Sequence, residues 1–130
     1  MSQVLGIDYG SKRIGLALGD EEQKVALPFD VIENQEGLIG ELRRIIENEK
    51  IYRIVVGFPL GMSGKETVKT KEVEKFVDLL ERNFNLPIIT EDERLSSKMA
   101  DSLFKEYKEK YDRDAVAAMV ILQNYLDKIK

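Results

Sequence analysis

Three places in this 130-residue chain put acidic side chains where chemistry could use them. Asp8 ends the apolar run Val4-Leu5-Gly6-Ile7, and Glu91-Asp92-Glu93 follows Pro87-Ile88-Ile89-Thr90. Asp114 precedes Ala118, Ile121, Leu122 and Tyr125 at helical spacing, which places it in line with an apolar stripe and off the wet face. Few other catalytic groups compete with these acids. The chain has no Cys and no His, which removes disulfides, thiol nucleophiles, thiolate zinc sites, Ser-His-Asp triads and His-ligated metals. What remains is carboxylate, Lys, Tyr or Ser chemistry, or a hard cation held by oxygen. Acids at the end of a first strand, at the end of a later parallel strand and on the inner face of a last helix could meet at one sheet edge. Three such carboxylates make sense around a divalent cation, and an oxygen-only site suits Mg²⁺ or Mn²⁺. Metal-assisted phosphoryl chemistry is the leading expectation.

Each acid also has a plainer role open to it. Asp8 could initiate the Asp8-Tyr9-Gly10 turn by accepting backbone N–H bonds. Asp112 or Asp114 could cap the last helix, in an acidic first turn favoured by the helix dipole. Glu91-Asp92-Glu93 could be a solvated loop, with Ser96 or Ser97 capping the helix that follows. Asp20, after Gly19, reads as an acid in a solvated turn.

The elements that must position these acids follow from hydrophobic periodicity. Val4–Ile7 and Ile14–Leu18, joined by turn formers, predict a β-hairpin. Val25–Ile32 is a third, outer strand, because Pro28 cannot donate to a central ladder. Leu38, Leu42, Ile45 and Ile46 predict a helix of about three turns. Ile51–Phe58, with Ile54-Val55-Val56 at its centre, reads as a parallel strand buried on both faces. A Gly-rich loop, Leu60-Gly61-Met62-Ser63-Gly64, precedes a helix carrying Val73, Phe76, Val77, Leu80 and Phe84, and Pro87–Thr90 supplies a fifth strand. Two helices follow, the first with Leu95, Met99, Leu103 and Tyr107, the second with Ala118, Ile121, Leu122, Tyr125 and Ile129. The order βββαβαβαα predicts an α/β domain over residues 1–130, a mixed five-stranded sheet flanked by helices.

Bulk properties agree. Hydrophobic residues at 43% and charged residues at 34% supply a core and a soluble surface. No apolar run is long enough to span a membrane, and the first residues lack a signal-peptide layout, so a cytoplasmic protein without a membrane partner is expected. A net charge of -4 argues against a dedicated nucleic-acid coat but not against a local basic surface.

Four segments in order, Gly6-Ile7-Asp8-Tyr9-Gly10-Ser11-Lys12-Arg13-Ile14-Gly15, Val56-Gly57-Phe58-Pro59-Leu60, Asp92-Glu93-Arg94-Leu95-Ser96-Ser97 and Asp114-Ala115-Val116-Ala117-Ala118 with Ile121–Leu126, resemble the YqgF/RuvX family from end to end. The resemblance implies a ribonuclease-H-like fold. It also implies Asp8, Glu93 and Asp114 as catalytic metal ligands, choosing Glu93 over its two acidic neighbours. Family members are regarded as nucleases that mature the 5′ end of pre-16S ribosomal RNA, and were earlier proposed as Holliday junction resolvases. Either reaction would use Mg²⁺ or Mn²⁺ held by carboxylates to hydrolyse a phosphodiester, with Asp8 as the bridging ligand and a 5′-phosphate as product. The chain departs from its relatives at Gly61-Met62-Ser63-Gly64, where Asn-Met-Asp-Gly is frequent. It also shows three acids where ribonucleases H proper have four.

A polyanionic substrate, precursor ribosomal RNA or a four-way DNA junction, requires cations beside the acids. Lys12 and Arg13 lie next to Asp8, Arg94 follows Glu93, and Lys65 borders the Gly-rich loop, with Lys69 and Lys71 nearby. Tyr9 could stack on a base or pack within the hairpin. A homodimer is compatible with the sequence. Gly6–Gly10 also resembles the first phosphate loop of sugar kinases and actin-like ATPases, but those clamp nucleotide between two such domains. The remaining alternative is a module that binds RNA or a transcription complex without cutting.

Overall fold

The computed structural model describes residues 2–59, 66–93, 102, 105, 106 and 111–129. Five strands form one mixed sheet: β1 (Gln3–Tyr9), β2 (Arg13–Asp20), β3 (Val25–Glu33), β4 (Ile51–Phe58) and β5 (Ile88–Asp92), in the spatial order β3-β2-β1-β4-β5. The β1–β2 hairpin and β3 are antiparallel, whereas β4 runs parallel to β1 and β5 parallel to β4. β1 is therefore central and β3 is an edge. The ladder shifts register where Ala17 meets Pro28, so the imino acid sits at an irregularity of an outer strand, where its missing donor does least harm.

Alternation along β1 divides the core. Leu5 and Ile7 join Leu16, Ile54 and Val56 under α1 (Leu38–Asn48) and α2 (Val68–Asn83), which contribute Leu38, Leu42, Val73, Phe76 and Leu80. Val4, Ala17 and Val55 face α3 (Arg113–Lys128), whose residues Ala115 to Leu122 are all buried. The expected stripe through Ala118, Ile121, Leu122 and Tyr125 is thus part of a broader apolar surface. α2 starts with a reciprocal cap, in which Thr67 and Thr70 each bond the other's backbone N–H, and the buried Thr70 hydroxyl also donates to the Pro59 carbonyl. That contact ties the helix start to the end of β4. The first of the two expected C-terminal helices lies largely outside the described residues. Among the described residues, no helix is long and apolar enough to cross a membrane.

Candidate active site

Tyr9 packs with the core beneath α1 and α2, its ring 4.6 Å from that of Phe76. Asp8, one residue earlier, projects to the opposite face, toward α3. Burial is the main influence on its carboxyl group and raises its proton affinity. Lys69 in the first turn of α2 opposes this, and the charge of Asp114 adds to it. A turn-initiating Asp would instead be solvated. The turn after β1 is held from outside, by Asn34, whose backbone N–H donates to the Lys12 carbonyl at 2.9 Å and whose side chain donates to the Gly10 carbonyl at 2.9 Å.

Glu93 reaches Asp8 from β5. Its backbone N–H donates to the Phe58 carbonyl at 3.3 Å, extending the parallel pairing one residue past the strand. Its side chain then lies over Gly57. A Cβ at Gly57 would stand 2.5 Å from Ile121 Cδ1 and 2.9 Å from Glu93 Oε2, so any side chain there would drive Glu93 off β4. Burial, then the neighbouring Asp8 charge, pushes the Glu93 carboxyl up to about 8, and Glu93 donates a hydrogen bond to Asp8. The two half-buried carboxyls thus favour one shared proton over two charges.

The third acid comes from above. Asp8 pairs in register with Gly15 on β2, and a Cβ on Gly15 would lie 1.9 Å from the Asp114 carbonyl oxygen. Only glycine lets the first turn of α3 settle directly over the strand pair that bears Asp8. Capping is carried by Asp112, whose Oδ1 accepts from the Asp114 N–H at 2.9 Å, so the Asp114 side chain is free of that duty. It is held instead by Arg13, with Nη2 to Asp114 Oδ2 at 2.8 Å, while Nη1 reaches Asp112 Oδ2 at 3.4 Å. Among the described residues no three acids form a ready-made ion cage. Asp8 and Glu93 are assembled, and Asp114 stands beside them turned toward an arginine.

The neighbours of Glu93 play other parts. Glu91 is buried and ion-paired with Lys128 at the far end of α3, so it is neither solvated nor part of the acidic pair. Asp92 is exposed and adds repulsion to Glu93. Lys12 is exposed beside the β1–β2 turn, and Arg13 is half exposed despite its two ion pairs. Lys65 and Arg94, the other expected phosphate contacts, lie outside the described residues. The sequence reading placed Lys69 only beside the Gly-rich loop; its position near Asp8 and Glu93 comes from the α2 cap, and the Thr67-x-x-Thr70 spacing was the signal for it. A second polar cluster, Glu21 with Tyr52, Arg53 and Tyr125, was missed altogether.

Comparison with known proteins adds to this geometry. A family model described as "RuvX: Holliday junction resolvase" matches residues 2–128. A protein of Maridesulfovibrio salexigens named "Putative pre-16S rRNA nuclease" is 44% identical, over 95% of this chain and 97% of its own. One of the same name from Rickettsia peacockii is 42% identical, over 98% of this chain and 87% of its own. Among solved structures, Thermus thermophilus RuvC in complex with a Holliday junction substrate superposes with a TM-score of 0.63 at 12% identity, covering 95% of this chain and 93% of that one. The fowlpox virus resolvase bound to Holliday junction DNA gives 0.60 at 12% identity, covering 96% and 97%. Those two likenesses show the ribonuclease-H-like fold, and the family match together with the full-length relatives shows that this chain belongs to the RuvX family.

Proposed function

We propose that this protein is a metal-dependent endonuclease that hydrolyses phosphodiester bonds of structured nucleic acid, acting in the cytoplasm on the 5′ end of pre-16S ribosomal RNA. The observation that carries the proposal is the half-buried Asp8–Glu93 pair, two facing carboxyls of raised proton affinity at the end of the central strand, with Asp114 above it. A proton is the smallest cation that relieves such a pair. An oxygen-only donor set suits Mg²⁺ or Mn²⁺ better than any softer ion.

Asp8, Glu93 and Asp114 would hold the metal, which when bound supplies charge neutralisation at the phosphodiester and an acidified water. The chain's own residues supply placement. Asp8 is fixed by pairing on both sides of β1, and Glu93 by the Phe58 carbonyl and the bare Gly57 backbone. The proton that Glu93 holds must leave before both carboxylates can act as ligands. For Asp114 to turn to the metal, Arg13 would release it, and the guanidinium would then be available to a phosphate. Lys69 supplies further positive potential at the acids, and the exposed Lys12 adds to it from the β1–β2 turn.

The second reading, resolution of four-way DNA junctions, is favoured by the description of the family model. Cleavage of precursor ribosomal RNA and of a four-way junction, side by side with wild type and Asp8→Asn, tests both. Metal-dependent cutting of the RNA that is lost in the variant is expected. Junction cutting alone would favour the second reading. Binding without cutting, unchanged by chelator, would make the protein a non-catalytic module.

A further inference from the structure

On the opposite face of β1 from Asp8, a groove of about 220 Å³ opens between the β1 end, the start of α1 and the exposed flank of α2. At its floor the half-buried Tyr9 ring rests, tilted by 36°, against the buried Phe76 ring behind it. One wall is Asn34, fixed by its hydrogen bond to the Gly10 carbonyl. The other wall carries Glu72 and Lys75, one helical turn apart on α2. Among the described residues these two charges make no ion pair. α2 links the groove to the acids, because Lys69, one turn before Glu72, is the residue whose charge acts on Asp8 and Glu93.

Each part has a chemical counterpart in one ligand. An aromatic floor takes the π-face of an unstacked base. A carboxylate beside a lysine offers two acceptor oxygens and a donor. Guanine presents the complementary edge, with adjacent N1–H and N2–H donors and the O6 acceptor. Adenine, cytosine and uracil offer no such pair of adjacent donors beside an acceptor. Asp8 and Tyr9 are consecutive residues with side chains on opposite faces of the strand end. A strand whose phosphate lies at the acids therefore needs only to cross the sheet edge to place a neighbouring base in the groove.

We propose that the groove formed by Tyr9, Asn34, Glu72 and Lys75 is a guanine-binding subsite that holds an unpaired nucleotide flanking the scissile bond. This rests on the nuclease reading for its place in the reaction, but not for its ligand. Glu72 is the specificity-determining residue and Tyr9, backed by the buried Phe76 ring, is the platform.

The test separates ligand from reaction. Guanosine 5′-monophosphate, and the adenine, cytosine and uracil monophosphates in turn, are titrated into the metal-free protein while NMR follows the Tyr9 and Phe76 rings and the Leu38 and Leu79 methyl groups that border the groove. Shifts confined to these groups are expected, with guanine bound about tenfold more tightly than the others, the scale of one good bidentate base contact. Glu72→Gln should erase that preference while leaving the thermal melt unchanged, since Glu72 is exposed. Equal binding of all four nucleotides, or shifts elsewhere only, would overturn the proposal even if the protein cleaves RNA. Guanine binding in the groove by a protein that cuts nothing would support the subsite and sink the nuclease reading. Varying the unpaired nucleotide next to the cut in an RNA substrate should then change KM more than kcat for wild type, and neither for Glu72→Gln.

Discussion

Two carboxylate clusters lie at different places in this molecule and have opposite fates. Glu21, in the turn after β2, accepts hydrogen bonds from the Tyr52 hydroxyl, the Arg53 guanidinium and, at 2.8 Å, the Tyr125 hydroxyl. Burial pushes its carboxyl up, but these donors outweigh burial and leave it below its ordinary value, while burial and the bond to Glu21 push the Tyr52 hydroxyl up to about 12. Asp8 and Glu93 are also partly shielded from water, yet they face each other, and both carboxyls are raised. The first cluster gains stability from its charge; the second loses it. A fold keeps an unfavourable arrangement where function requires it, and that contrast, more than the acids' mere presence, supports the proposal that the β1 end is the working site.

The sharpest way to break this comparison is to neutralise one acid in each cluster. Asp8→Asn should abolish phosphodiester cleavage while leaving nucleic-acid affinity nearly intact, because cations supply most polyanion binding. Gel-based cleavage and equilibrium binding of the same substrate measure the two. Glu21→Gln should leave cleavage in place and lower stability by about 1–2 kcal/mol, the worth of hydrogen bonds to a charged group discounted for the partial exposure of the Arg53 pair. Loss of binding in step with activity in Asp8→Asn would return Asp8 to a structural role.

Cations should act on one cluster only. Mn²⁺ at about a hundredfold over its dissociation constant should stabilise the wild type by about 2.7 kcal/mol through mass action. Glu93→Gln and Asp114→Asn should both blunt that gain. Without metal the two variants should part: Glu93→Gln removes the cost of keeping a half-buried carboxyl protonated beside Asp8 and raises the melting temperature, whereas Asp114→Asn gives up the 2.8 Å contact with Arg13 and brings little net change. Thermal melts with chelator and with Mn²⁺ distinguish these outcomes. Glu21→Gln should keep the full Mn²⁺ gain.

The clusters should also respond to pH in different windows. Glu93 is raised from 4.5 to about 8 in the folded protein, so across that range the native state binds more protons than the unfolded chain. Metal-free stability must then fall as pH rises from about 4.5 to 8. Glu21 has the reverse sign, since its folded value lies below 4.5 and its contribution is lost only on acidification past that point. Denaturant melts at several pH values should show the falling limb in wild type and a smaller one in Glu93→Gln, since the burial that raises Asp8 remains.

Much of this contrast was legible in the sequence, and the illegible part has a physical cause. Period and punctuation predicted the strands, the edge position of the proline strand and the apolar side of α3. Asp8 and Asp114 stood out because acids within apolar patterns need partners. Glu93 did not stand out from Glu91 and Asp92; the resemblance selected it, and the structure adds that Glu91 is taken by Lys128. Glu21 sits between two polar residues in a turn, and its partners Tyr52, Arg53 and Tyr125 lie far along the chain, so no local pattern could mark it as satisfied. The pairing of Arg13 with Asp114 was illegible because it depends on the approach of α3 to Gly15, which is a tertiary fact.

The smallest expected effect concerns that arginine. Lys12 and Arg13 are adjacent in sequence and equal in charge, so composition assigns them the same share of polyanion binding. In the metal-free protein Lys12 is exposed, whereas the Arg13 guanidinium is committed to Asp114 and Asp112. A cation that neutralises a phosphate releases about 0.7 to 0.9 counterions, so Lys12→Ala should reduce the log–log salt slope of binding by that amount. Arg13→Ala, measured in chelator, should reduce it by less, because a guanidinium already paired with carboxylates has little charge to give to a phosphate. Equal reductions would mean that nucleic acid pulls Arg13 off Asp114 without help from metal. In that case the third acid is freed by substrate, and Asp114 joins Asp8 and Glu93 only once the phosphodiester has arrived.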